Sequence, residues 1–169
     1  MHTAFLSLGS NEDAELRLSE AFLALQDIGP IVTVSHVYES AAAPPSDEGA
    51  PAYLNAALCL TTELEPAPLK ATLQALEQKL GRDHARSSVA IDVDICLFDR
   101  IVLHEDGLSI PHPLLSQRAY MAVPVAECDP DYRHPETNET LGELAARLRR
   151  SDPVTLTRRH DIILRLHSS

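Results

Sequence analysis

Residues 91–98 run Ile91, Asp92, Val93, Asp94, Ile95, Cys96, Leu97, Phe98, so two carboxylates alternate with apolar side chains. In a β-strand successive side chains point to opposite faces. Asp92 and Asp94 therefore project together, while Ile91, Val93 and Ile95 point the other way. A chain built around this strand needs a sheet with an apolar core on one face and room for two acids on the other. Paired carboxylates repel. A hard divalent cation with oxygen ligands, most often Mg²⁺ with a nucleotide phosphate, relieves that repulsion. The plain alternative is a half-exposed edge strand with solvated acids, and a D-x-D run alone does not separate the two.

The flanks add cations. Gly81, Arg82, Asp83, His84, Ala85 and Arg86 lie just upstream; Ile110, Pro111, His112, Pro113 and Arg118 lie downstream. Arginine suits phosphate because its planar fork donates two parallel hydrogen bonds. On their own Arg82 and Arg86 also read as a solvated loop after a helix end, where cations favour the dipole. His112 sits between two prolines that stiffen the backbone. It reads as a rigid phosphate donor or as a structural histidine in a turn. Acids that hold a metal beside cations that hold phosphates are the division of labour that phosphoryl transfer requires.

The 169-residue length predicts a single domain over 1–169. A formal charge of −11 disfavours a nucleic-acid surface, so an anionic ligand must be held by a local cluster of cations. Cys59, Cys96 and Cys128 are far apart and suggest neither a disulfide framework nor a zinc site. No signal peptide precedes the first strand and no apolar run suits a bilayer, which predicts a cytoplasmic protein with no membrane partner.

Hydrophobic patterning predicts strands over 4–8, 31–38, 52–64 and 91–98, with a short edge strand at 101–103. It predicts a helix capped by Asp13 with Leu16, Phe22, Leu23 and Leu25 on its apolar face. A second helix opens at Pro66 and Pro68, carries Leu69, Leu73, Leu76 and Leu80, and ends at Gly81. Residues 118–123 read as helix or strand, 141–148 as helix, and 154–166 have no clear assignment. The β-α-β-β-α-β order predicts an α+β ferredoxin-like sandwich, with helices on one face of an antiparallel sheet.

Aromatic residues make up only 4% of the chain, which draws attention to Tyr53 and Tyr120. Two rings can stack on a flat heterocycle, and Asn55, two residues after Tyr53, shares its strand face and offers an amide to a ring edge. Core packing for Tyr53 and a sheet-edge role for Asn55 are the plain alternatives. Gln74 and Glu77, about one turn apart, share a helix face and read most simply as surface residues.

Taken in order, these pieces resemble a known family. They are Leu8-Gly9-Ser10-Asn11 after the first strand, Tyr53-Leu54-Asn55-Ala56-Ala57, Glu77 ahead of Leu80-Gly81-Arg82, Asp92-Val93-Asp94-Ile95, Ile110-Pro111-His112-Pro113, Arg118, and Val123-Pro124-Val125-Ala126-Glu127. Across most of 4–148 the chain is similar to the 6-hydroxymethyl-7,8-dihydropterin pyrophosphokinases of folate biosynthesis. The resemblance implies Mg²⁺-dependent transfer of diphosphate from ATP to a reduced pterin. It implies Asp92 and Asp94 as metal ligands, with Arg82 and Arg86 beside them in catalysis. Gln74, Glu77, Arg82, His84, Ile95, His112 and Arg118 would then face ATP. Ala43, Pro44, Tyr53, Asn55, Asp92 and Tyr120 would face the pterin, with Gly9-Ser10-Asn11 a turn that shapes its pocket.

The chain also departs from that family. The family's loop before D-x-D is usually longer, reading as an Arg-Trp-Gly-Pro-Arg-Thr type of run. Here Arg86, Ser87, Ser88, Val89 and Ala90 fill the place, and there is no Trp. Val89 stands where the family has an arginine, and His84 where a second arginine often follows Gly-Arg. Ala43-Pro44-Pro45-Ser46 replaces a Thr-Pro type of entry. A shortened lid leaves two expectations: a transferase, or a divergent relative that binds pterin or nucleotide with little or no transfer. A purely structural interaction module would explain neither the acid pair nor the arginines.

Overall fold

The computed structural model describes residues 1–41, 50–105 and 107–164. Its elements are β1 (His2–Ser10), α1 (Ala14–Leu25), β2 (Ile31–Val34), β3 (Tyr38–Ser40), β4 (Tyr53–Thr62), α2 (Pro66–Lys79) and β5 (Asp92–Phe98). A hairpin of β6 (Leu103–Glu105) and β7 (Leu108–Ile110) follows. Then come a short 3-10 helix (Pro113–Ser116), α3 (Ala119–Cys128), α4 (Leu141–Ser151) and β8 (Leu156–Arg158).

The main sheet runs β5-β1-β4-β3-β8 with β2 also on β4, and every pairing is antiparallel. This is the expected α+β class. The expected single helical face is not what forms. Leu6, Leu8, Leu54, Leu58, Leu60, Ile91, Val93 and Ile95 pack with Leu18, Phe22, Leu69 and Leu73 of α1 and α2. Phe5, Ala57, Cys59, Cys96 and Leu97 pack with Met121, Val125, Leu141 and Leu144 of α3 and α4. Two core layers explain why β4 is buried along nearly its whole length instead of alternating. They also explain why 118–123 was ambiguous: α3 is apolar almost all round, as a helix buried on several sides is, and lacks a polar stripe to betray its period.

Other departures are local. Leu16 and Leu23 are exposed; α1 buries Leu18, Ala21, Phe22 and Leu25, the i, i+3, i+4, i+7 set that includes the small Ala21. Asp13 starts that helix in the left-handed region (φ 47°) and makes no side-chain cap. Its carbonyl accepts from Arg17 N–H instead, at 2.9 Å. The expected 31–38 strand is split into β2 and β3. The expected edge strand at 101–103 is shifted to β6, where it pairs with β7. The unassigned C-terminal stretch supplies β8, which extends the sheet beside β3. Gly81 ends α2 at φ 97°, a conformation that side chains rarely adopt, and so turns the chain sharply into Arg82.

Register sets the floor of the site. Gly9 pairs with both Asn55 and Asp92, and Ser7 with both Ala57 and Asp94. Two rows therefore cross β4, β1 and β5 on the face shared with α3. Gly9 has no side chain between Asn55 and Asp92, so the floor stays open there.

Candidate active site

Two cavities meet at the acid pair. The smaller, about 230 Å³, is lined by Ser7, Gly9, Ser40, Ala41, Tyr53, Asn55, Val89, Asp92, Asp94, Leu114, Tyr120 and Met121. The larger, about 700 Å³, runs along the outer edge of β5 between α2 and the β6–β7 hairpin. Its walls include Lys70, Gln74, Glu77, Arg82, His84, Ile95, Ser109 and His112. Asp92, Asp94 and Leu114 belong to both.

The smaller cavity has a fixed hydrogen-bonding edge. Asn55 is buried, and its Nδ2 donates to Ser40 Oγ at 2.9 Å and to Tyr38 O at 3.2 Å. The Tyr38 carbonyl can only accept, which fixes the amide's orientation and leaves Oδ1 as the group available to a ligand. A Cβ on Gly9 would stand 3.8 Å from that oxygen. Asn55 is therefore an acceptor for ring N–H groups, a narrower role than the amide alone suggests.

In the larger cavity α2 presents Lys70, Gln74 and Glu77 along one face. Glu77 is buried, and its Oε1 accepts from Val93 N–H at 2.8 Å, tying α2 to β5. The reading of Glu77 as an ordinary surface residue therefore fails. His112 caps the 3-10 helix: its Nδ1 accepts from Leu114 N–H at 3.1 Å. In the neutral ring the proton then sits on Nε2, 4.0 Å from Asp94 Oδ1. Burial lowers the His112 pKa, which favours that neutral donor form.

Burial and mutual repulsion dominate the junction. The Asp94 carboxyl is pushed well above the usual range by burial first, then by Asp92 and Glu77. Glu77 is pushed up by burial and Asp92, against the Val93 hydrogen bond. Acids so raised keep protons in the folded state that the unfolded chain releases. Stability without a divalent cation is therefore expected to fall as pH rises from the ordinary carboxylate range through neutrality. Glu77→Gln removes one charge and keeps an acceptor for Val93, so the melting temperature should decline less steeply between about pH 5 and about pH 8. Parallel profiles for the variant and the wild type would refute this assignment of the strain.

The donor set suits a hard cation. Among the described residues no group of three or more His, Cys, Asp or Glu side chains could hold a metal alone. Asp92 and Asp94 thus offer two carboxylates and leave other coordination positions to phosphate and water, the usual arrangement for Mg²⁺.

The structure gathers Gln74, Glu77, Arg82, His84, Asp92, Asp94, Ile95 and His112 around the larger cavity. Tyr53, Asn55 and Tyr120 join the acids around the smaller. Two arginines lie outside both linings. Arg86 pairs with Glu12 at 2.8 Å, and Ser88 Oγ donates to the same carboxylate at 2.6 Å. Arg118 pairs with Asp152 at 3.4 Å and lies over the Tyr120 ring. Ala43 and Pro44 fall outside the described residues. Of the Gly9-Ser10-Asn11 turn, only Gly9 lines the smaller cavity. Ser10 Oγ donates to Ala90 O at 2.6 Å, and Asn11 bonds Val89 in both directions, fastening the loop before β5. Sequence reasoning missed Lys70, one turn before Gln74 on the same helix face, and the β6–β7 hairpin wall.

The family model for 7,8-dihydro-6-hydroxymethylpterin-pyrophosphokinase matches residues 5–130. The chain is 33% identical over 136 residues to the 2-amino-4-hydroxy-6-hydroxymethyldihydropteridine pyrophosphokinase of Haemophilus influenzae, covering 78% of this chain and 84% of that one. The Porphyromonas gingivalis enzyme of the same name is 34% identical over 144 residues, covering 80% and 96%. Among solved structures, wild-type Plasmodium falciparum HPPK-DHPS with pteroate shares the fold at a TM-score of 0.69 and 15% identity. That match covers 86% of this chain but only 44% of the Plasmodium chain. The matched segment contains every lining residue of both cavities, and the chain belongs to the 7,8-dihydro-6-hydroxymethylpterin-pyrophosphokinase family.

Proposed function

We propose that this protein transfers the terminal diphosphate of ATP to the hydroxymethyl oxygen of 6-hydroxymethyl-7,8-dihydropterin, releasing AMP, with Mg²⁺ at Asp92 and Asp94. The observation that carries this reading is the meeting of two cavities, one walled by cations and one by aromatic rings and an amide, at a shared carboxylate pair. A two-substrate transfer needs its substrates in line across one charged point.

In this reading the larger cavity takes the nucleotide. Arg82, His84, Lys70 and the Nε2–H of His112 surround the polyphosphate. Ile95 and Gln74 face the nucleoside part. Mg²⁺ held by the two aspartates would neutralise phosphate charge. The smaller cavity takes the pterin between Tyr53 and Tyr120, with Asn55 Oδ1 accepting from its N–H edge. Asp92, common to both cavities, orients the attacking hydroxyl and takes up its proton on the way to solvent, while the hydroxyl oxygen bonds to the β-phosphorus as the bond to the AMP oxygen breaks.

Release of AMP from ATP, measured with and without 6-hydroxymethyl-7,8-dihydropterin, tests this directly. Pterin-dependent AMP is expected. Both ligands bound with no AMP formed would favour the binding-protein reading, which the engagement of Arg86 by Glu12 also motivates.

Asn55→Ala is expected to weaken pterin binding by roughly 1–3 kcal/mol, because buried ring donors lose their acceptor. Affinity for a non-hydrolysable ATP analogue should hardly change. A fluorescence titration with wild-type pterin affinity would place the pterin elsewhere.

A further inference from the structure

Asp92, Asp94 and Leu114 line both cavities, and Leu114 is the apolar one of the three. The backbone of the 3-10 helix fixes its place. Leu114 N–H donates to His112 Nδ1 at 3.1 Å, and Leu114 O accepts from Gln117 N–H at 3.0 Å and from Arg118 N–H at 2.9 Å. His112 N–H donates to Cys96 O at 2.9 Å, which ties the start of this turn to β5. The next residue, Leu115, is fully buried in the second core layer. None of these hydrogen bonds uses the Leu114 side chain, which is half-buried and packs in part against that layer. The loop before β5 gives little apolar cover of its own: Asp83, His84, Ala85, Arg86 and Ser87 are all exposed.

Water competes with a bound hydroxyl for an activated phosphoryl group, and a site that expels water suppresses that side reaction. We infer that Leu114 is a specificity-determining residue for the acceptor: its hydrocarbon covers the junction of the two cavities and keeps water from the acid pair, so that the bound pterin hydroxyl meets the β-phosphorus of ATP and water does not. The inference rests on the two-substrate reading of these cavities. In the step that Leu114 suppresses, a water oxygen bonds to the β-phosphorus as the bond to the AMP oxygen breaks. The products are AMP and inorganic pyrophosphate, and the water protons pass to pyrophosphate and solvent.

The test uses the full chain. Leu114→Ala leaves the backbone hydrogen bonds of the turn in place and opens the junction. With ATP, Mg²⁺ and 6-hydroxymethyl-7,8-dihydropterin all bound, single-turnover reactions are analysed for AMP, free pyrophosphate and diphosphorylated pterin. The ratio of free pyrophosphate to diphosphorylated pterin should rise about tenfold or more in Leu114→Ala. Leu114→Met conserves volume and apolar character, so its ratio should stay within about twofold of the wild type. A second measurement needs no turnover. With Mn²⁺ in place of Mg²⁺ and a non-hydrolysable ATP analogue, water-proton relaxation by the bound ion should be stronger in Leu114→Ala than in the wild type, because more water reaches the acid pair.

Slower transfer in Leu114→Ala with an unchanged product ratio would overturn the proposal, because Leu114 would then serve packing alone. So would Leu114→Met behaving like Leu114→Ala, since a side chain of equal volume would not restore the cover. Unchanged water relaxation would also overturn it, whatever the product ratio. If the wild type makes no diphosphorylated pterin, the two-substrate reading fails by itself, and the relaxation comparison still decides whether Leu114 keeps water from the acid pair.

Discussion

Asp94→Asn is expected to cut pterin-dependent AMP formation by at least about a thousandfold, a barrier increase of about 4 kcal/mol. Asp92→Asn should do the same. Asparagine keeps the shape and loses the charge, and among the described residues the two-carboxylate site has no third acid grouped with it to compensate. Glu77 does not fill the gap, because its Oε1 is bound to Val93 N–H. The fold should survive in Asp94→Asn, since that change removes a charge that its surroundings already disfavour: burial, Asp92 and Glu77 all push the Asp94 carboxyl up. A melting temperature at or above the wild-type value is therefore expected for Asp94→Asn without Mg²⁺. Calorimetry with a non-hydrolysable ATP analogue should show Mg²⁺-dependent affinity lost in both variants. Unchanged affinity in both at saturating Mg²⁺ would sink the metal assignment.

The acid pair was legible because β-strand periodicity is a local rule. Asp92 and Asp94 needed only each other and the apolar residues between them to be placed on one face. Tyr53, Asn55 and Gly9 were legible in part, since each lies on or beside a strong strand. Their convergence on Asp92 depends on the register of β4, β1 and β5, which no local pattern states. The second helical layer was hidden for a different reason. A strand buried on both faces and a helix buried on several sides both read as continuous apolar sequence, so β4 and α3 gave no stripe to interpret. Charged residues were the least legible. Arg86 and Arg82 sit four residues apart in one basic loop, yet Arg82 enters the larger cavity and Arg86 goes to Glu12. The pairing partner of an exposed arginine is set by long-range geometry, and Glu12 lies 74 residues away in sequence. Lys70 had a weak signal, its spacing from Gln74 and Glu77, but a lone lysine on an amphipathic helix is ordinarily solvated.

That difference between the two arginines leads to the second large effect. Arg82→Ala is expected to slow transfer by about a hundredfold to a thousandfold, while affinity for the ATP analogue falls much less. Three features support this expectation. Gly81 turns the chain at φ 97°, and Arg82 N–H donates to Glu77 O at 2.9 Å, so its backbone is anchored to α2. It lines the larger cavity beside Asp92 and Asp94, the two acids shared with the smaller one. Its Nε is buried with no partner among the described residues, a donor left for a ligand. A clamp that tightens as charge develops on the transferring group acts on kcat more than on ground-state binding. Arg82→Lys should recover little, because lysine keeps the charge but loses the fork. Arg86→Ala should cost less than Arg82→Ala, since Arg86 begins paired with Glu12 and must leave it to reach phosphate. Single-turnover rates beside equilibrium affinities make the comparison. Equal losses of rate and ATP-analogue affinity in Arg82→Ala would reduce Arg82 to a ground-state contact. A larger defect in Arg86→Ala would move the transition-state clamp onto the short loop.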